Sequence, residues 1–120
     1  MKESPIFART YDLLRWLIPA TLKFPRQHRF VMATVIQQSV LSFHQRLLEA
    51  ARSGEPKAVL LRADVTLAQL RVYLRLCRDM EILGMNQYEH AARLMDEVGR
   101  LLGAWLKSHA SQESGPARSR

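Results

Sequence analysis

Arg71, Arg75 and Arg78 recur at i, i+4 and i+7. On an α-helix that spacing sets three guanidinium groups on one face, about one turn apart. Each guanidinium offers a planar fork of donors that matches a phosphate. Arg26 and Arg29 follow Pro25 at a second candidate helix start. Neutralising several phosphates would release counterions, giving an affinity that is salt-sensitive and largely independent of base sequence. The surroundings favour an anion. No acidic residue falls between Asp12 and Glu49, and none between Asp64 and Asp79, whereas Asp79, Glu81, Glu89, Asp96 and Glu97 crowd one later stretch. A plainer source of the excess stays open: arginine outnumbers lysine 14 to 4, as GC-rich coding alone would produce.

Other chemistry has little to work with. His28, His44, His90 and His109 have no histidine at i+4 and no Glu-x-x-His partner, so the inward-facing di-iron pattern of bundle enzymes is missing. His44 reads as a hydrogen-bonded core or interface residue. The single cysteine, Cys77, falls among apolar neighbours and reads as a small hydrophobe rather than a nucleophile. Gly99 and Gly103 lack the spacing of a phosphate loop, and instead predict close approach of another helix. No helix-turn-helix, zinc-finger or RNA-recognition signature supports base readout. Tyr73, Trp16 and Trp105 could stack on bases, but they fall at helical spacing and are expected in the core or an interface. Catalysis, cofactors and metal ions are not expected.

Four helices would position these residues. Ser4 and Pro5 suit a helix start, and Pro19 is expected to bend or end that first helix. Pro25 opens a second, about 40 Å long, running to about Arg52. Ser53-Gly54-Glu55-Pro56 stops the chain and restarts it. A third helix is predicted to continue to Leu83, with Gly84 in the left-handed C′ position. Asn86 and Glu89 have capping-box spacing for a fourth. In the third helix Ala63, Leu67, Leu70, Leu74 and Cys77 form one apolar stripe, while Leu61, Val65, Val72 and Leu76 form another on nearly the opposite side. One stripe suits a core, so the other predicts an oligomer or partner surface. A fourth helix has the core stripe Tyr88, Ala92, Met95, Gly99, Leu102 and Leu106, widened by Leu94, Val98, Leu101 and Trp105, and Trp105 is a further candidate for an oligomer or partner surface. Broad core-facing surfaces are the alternative. Short connections between long helices imply an all-α, antiparallel up-down four-helix bundle over residues 1–108. Residues 109–120 read as a disordered tail.

Composition agrees. The chain has 120 residues and a formal net charge of +7, with 48% hydrophobic and 24% charged residues, which excludes a disordered chain. One cysteine excludes a disulfide framework and suits a reducing, cytoplasmic setting. No apolar run approaches the roughly 18 residues that span a membrane, and no secretory signal is visible.

Thr10-Tyr11-Asp12-Leu13-Leu14-Arg15-Trp16-Leu17-Ile18-Pro19, then Lys23-Phe24-Pro25-Arg26 and Arg29-Phe30, resemble the start of the accessory variability determinant (Avd) proteins of diversity-generating retroelements. Gln87-Tyr88-Glu89-His90-Ala91 and the segment from Glu97 to Ser108 resemble their end. The Lys-Phe-Pro corner and the glycine-containing last helix are shared with a broader family of four-helix bundles encoded in 23S ribosomal RNA intervening sequences. The resemblance to Avd implies a homopentameric barrel that binds RNA and possibly DNA. It also implies a reverse transcriptase partner, with which such proteins support mutagenic cDNA synthesis on a template RNA. No short binding motif carries family site residues onto this chain.

Overall fold

Ser4 is extended (φ −68°, ψ 140°) and Pro5 takes the first helical position, so α1 spans Pro5–Thr21. The proline needs no donor there and its fixed φ already suits the helix. In the computed structural model the backbone is described for residues 4–118 and the side chains for residues 4–109. Ile6, Thr10, Leu13, Leu17 and Thr21 form the buried stripe of α1. Pro19 lies inside the helix, which ends two residues later. The backbone tightens there, with Leu22 N donating to the Pro19 carbonyl and Lys23 N to that of Ala20, both at 3.1 Å. Thr21 Oγ1 donates to the Ile18 carbonyl and accepts from Gln37 Nε2, each at 2.7 Å, which ties the end of α1 to α2.

Helix α2 begins as the short turn Arg26–His28, passes through a π-helical turn, Arg29–Ala33, and continues as Thr34–Arg52. Its buried stripe is Ala33, Ile36, Val40, Phe43, Leu47 and Ala50. That strict 3–4 alternation, carried back along an uninterrupted α-helix, would turn position 29 inward. Position 29 is arginine, and a buried unpaired charge is costly. The π turn holds one residue more than an α turn. With it in place, Arg29 and Phe30 both face solvent.

Helix α3 spans Pro56–Asp79 and again opens on proline. It stops four residues short of the predicted Leu83, and the left-handed residue is Glu81 (φ 60°), not Gly84. The reason is a Schellman closure on Cys77. Ile82 N donates to the Cys77 carbonyl at 2.8 Å and Glu81 N to that of Arg78 at 3.0 Å. Ile82 and Leu83 are then buried against the core. Gly84 instead precedes α4, which spans Met85–Arg118. Gln87 Oε1 accepts from Gly84 N at 3.0 Å, so the side chain that closes this helix start is Gln87, two residues before the predicted Glu89. The helical backbone of α4 also continues beyond Ser108, where the composition read as a disordered tail. Ala110, Gln112 and Glu113 are helix-compatible, and the helical backbone runs on through Gly115 and Pro116. Side chains from residue 110 onward lie outside the described residues.

Among the described residues there are four helices and no strand. They pack as an antiparallel bundle in which α1 contacts α2 and α4, and α3 contacts α2 and α4. The inner stripe of α3 meets expectation: Ala63, Leu67, Leu70, Leu74 and Cys77 are buried. In α4 the buried row is Ala91, Met95, Val98 and Leu102, rotated from the predicted stripe so that Ala92 and Gly99 are only half-buried. Among the described residues no helix is long and apolar enough to cross a membrane.

Candidate nucleic-acid interface

The five arginines singled out by spacing lie in two places. Arg71, Arg75 and Arg78 share one face of α3, as the periodicity requires. Their guanidinium groups are not equivalent. Arg71 reaches across to α4, where Nη1 donates to Asp96 Oδ1 at 2.7 Å and Nη2 to the Met95 carbonyl at 3.2 Å. Arg78 donates to Asp79 Oδ1 through Nε at 3.0 Å and Nη2 at 2.8 Å, and lies 4.7 Å from the centre of the Tyr88 ring. Arg75 is exposed and makes no ion pair or side-chain hydrogen bond among the described residues. The row therefore presents one unengaged guanidinium and two already held by carboxylates. A groove of about 360 Å³ runs beside it, lined by Arg71, Val72, Arg75, Tyr88 and Asp96 among others.

Arg26 and Arg29 stand at the corner between α1 and α2, and both are exposed. Arg29 donates through Nε and Nη2 to the Phe24 carbonyl, both at 3.3 Å, which fixes the direction of the side chain. Arg26 and the neighbouring Lys23 are exposed and unpaired among the described residues. Phe30, which the arginine spacing does not single out, lies between these cations and Val31 and is 86% exposed. The sequence signal for it was present: an apolar pair, Phe30-Val31, directly after a cation in an acid-free window.

The interface candidates divide in the same way. Leu61, Val65, Val72 and Leu76 are 42–59% exposed and lie along the outer side of α3, opposite its core stripe. Trp105 does not share that surface. It is half-buried, with its ring 6.3 Å from that of Phe7 in an edge-on arrangement and its Nε1 donating to His109 Nε2 at 3.0 Å. A second groove, of about 420 Å³, lies between α1 and α2 and is lined by Phe7, Ala8, Tyr11, Asp12, His44 and Leu48. His44 thus lines a groove, while the Trp16 and His90 rings meet between α1 and α4 with centres 4.9 Å apart and planes tilted at 52°.

Burial raises the Cys77 thiol to about 11, which keeps it protonated. No cluster of three or more metal-ligating side chains occurs among the described residues.

No curated protein matches the chain. The family model described as bAvd-like matches residues 6–109, which takes in all four helices up to the Trp105–His109 contact. The span includes both segments whose residues resembled Avd proteins, and the all-helical bundle is the fold those segments implied. The chain belongs to the bAvd-like family.

Proposed function

We propose that this chain is a non-catalytic accessory protein that binds nucleic acid and works beside the reverse transcriptase of a retroelement in mutagenic cDNA synthesis. The observation that carries the reading is the family match over residues 6–109, on a chain of net charge +7. The exposed cations Arg26 and Arg75 support it, since both have donors to spare for phosphate. So do two faces, the apolar outer side of α3 and the groove between α1 and α2. Two different faces suit a heterologous contact, which closes into a ring when the rotation allows. A homopentamer of this kind would gather the charge of five copies on one particle and would strengthen attraction to RNA or DNA.

Reconstituted cDNA synthesis with the neighbouring reverse transcriptase and its template RNA tests the reading. Synthesis should depend on this chain, and the two proteins should co-purify. Synthesis that proceeds equally without it overturns the reverse transcriptase partnership. For the nucleic-acid contact, Arg75→Glu should weaken RNA binding and flatten its salt dependence without loss of helicity. Binding that is indifferent to salt would remove the phosphate-contact reading. A second reading, a bundle of the intervening-sequence type or a protein-interaction module without a reverse transcriptase partner, is favoured by one observation. Arg71 and Arg78 are already engaged by Asp96 and Asp79, as cations of a merely solvated face would be.

A further inference from the structure

The corner between α1 and α2 combines features that the bundle itself does not require. Phe30 is 86% exposed, the most exposed of the large apolar side chains among the described residues, and Val31 beside it is 59% exposed. The ring is held out by the π-helical turn Arg29–Ala33, a local distortion that recurs at functional sites. Lys23, Arg26 and Arg29 precede it in sequence, with Arg26, Arg29 and Phe30 at i, i+3 and i+4. Arg29 is anchored by the Phe24 carbonyl, and Phe24 is itself buried, so the corner is pinned to the core. The turn between α3 and α4 lies at the same end of the bundle and carries Asp79 and Glu81. Asp79 is engaged by Arg78, and neither carboxylate pairs with the corner cations. Charge and aromatic surface therefore coincide here without internal neutralisation.

We propose that this corner binds single-stranded nucleic acid, with Phe30 stacking on an unpaired base while Lys23, Arg26 and Arg29 take the adjoining phosphates. The inference rests on the nucleic-acid reading above and adds the strandedness and the place. An exposed ring beside cations is the pattern by which proteins hold single strands without base readout. Bases in a duplex are stacked on each other and offer no free face to such a ring, so a duplex would engage the cations alone. A protein partner is less well matched, because interface anchors insert into desolvated pockets, whereas this ring stands on a charged corner.

The test compares a fluorescent 12-nucleotide oligouridine with an RNA duplex of equal length, titrated with the full chain at several salt concentrations. Phe30→Ala should weaken single-strand binding about tenfold, as loss of one base–aromatic stack does, and leave duplex binding and the salt slope unchanged. Phe30→Trp should restore single-strand affinity. Lys23→Ala with Arg26→Ala should weaken both ligands and flatten the salt slope. Phe30→Ala binding like the parent chain overturns the stacking site, while salt-sensitive binding by the parent keeps the wider reading intact. Absence of binding by the parent chain to either RNA overturns both. A fall in assembly mass on Phe30→Ala, measured by light scattering, assigns the ring to a protein contact and overturns the proposal.

Discussion

The Arg71 guanidinium occupies the space that a side chain at position 99 would need: a Cβ on Gly99 would lie 2.5 Å from Nη2. The mid-helix glycine of α4 is thus explained by an arginine crossing from α3, not by the close backbone approach of another helix. Its neighbour in the same spacing, Gly103, has nothing within 4 Å of such a Cβ.

Gly99→Ala sets two small effects against each other. Alanine gains about 1 kcal/mol of helix propensity. The guanidinium must swing away, which loses the Asp96 pair, a half-exposed interaction of the kind that contributes about 0–1 kcal/mol. Stability should therefore change by less than about 1 kcal/mol in a urea melt, while Arg71 is released to solvent. If phosphate is its second partner, RNA affinity should rise in the alanine variant. Arg71→Ala in the same background should cancel the gain.

Glu81 holds a left-handed backbone (φ 60°) at the C′ position of α3. For an L-residue with a Cβ that conformation costs about 1–2 kcal/mol, and glycine escapes it. Glu81→Gly should accordingly stabilise the chain by about 1 kcal/mol, read as a higher urea midpoint with an unchanged slope. Gly84→Ala, where φ is not positive and the nearest atom to a new Cβ is Gln87 Oε1 at 3.6 Å, should cost little. A larger loss at Gly84 than gain at Glu81 would contradict the closure described here.

That exchange of roles shows what the sequence could and could not convey. Periodicity gave the core stripe of α3 correctly, because burial repeats with the helix itself. Residue identity misplaced the helix end, since glycine at 84 is the natural C′ candidate and nothing local says that the chain closes on the Cys77 carbonyl instead. The arginine row was legible as spacing, but its engagement was not. Asp96 lies 25 residues from Arg71 on another helix, and Tyr88 meets Arg78 only across the α3–α4 turn. For Phe30 the apolar pair after a cation was legible, but its outward facing was not: a π turn changes the facing of residues, and the sequence carries no simple mark of that turn.

Cys77 should resist alkylation. Its thiol is buried and raised from an ordinary value near 9 to about 11. Burial disfavours the thiolate in the folded state, so this contribution to stability is complete below about pH 9 and is lost as pH rises through about 11. Iodoacetamide at pH 8 should label the thiol only at the rate of global opening, and labelling should become fast in urea. Rapid labelling of the native chain would contradict its place in the core.

The outer stripe of α3 should govern assembly. Val65 and Val72 are 59% and 51% exposed, and both lie opposite the buried row, so aspartate at either position meets water in the isolated bundle. In an assembly the same change would bury a charge among Leu61, Leu76 and the facing surface, which is strongly unfavourable without a partner. Val65→Asp with Val72→Asp should therefore leave helical circular dichroism unchanged and reduce the light-scattering mass toward the 13.8 kDa of one chain. In the proposed heterologous contact the groove beside Tyr11, His44 and Leu48 would be the second half, and Leu48→Asp should have the same effect from the other side. Mixing the two variants is the decisive measurement. Each retains one intact face of a heterologous contact, so together they should form pairs but no closed ring. A parent chain that scatters as 13.8 kDa, or variants that assemble like it, would leave the stripe as ordinary solvated surface.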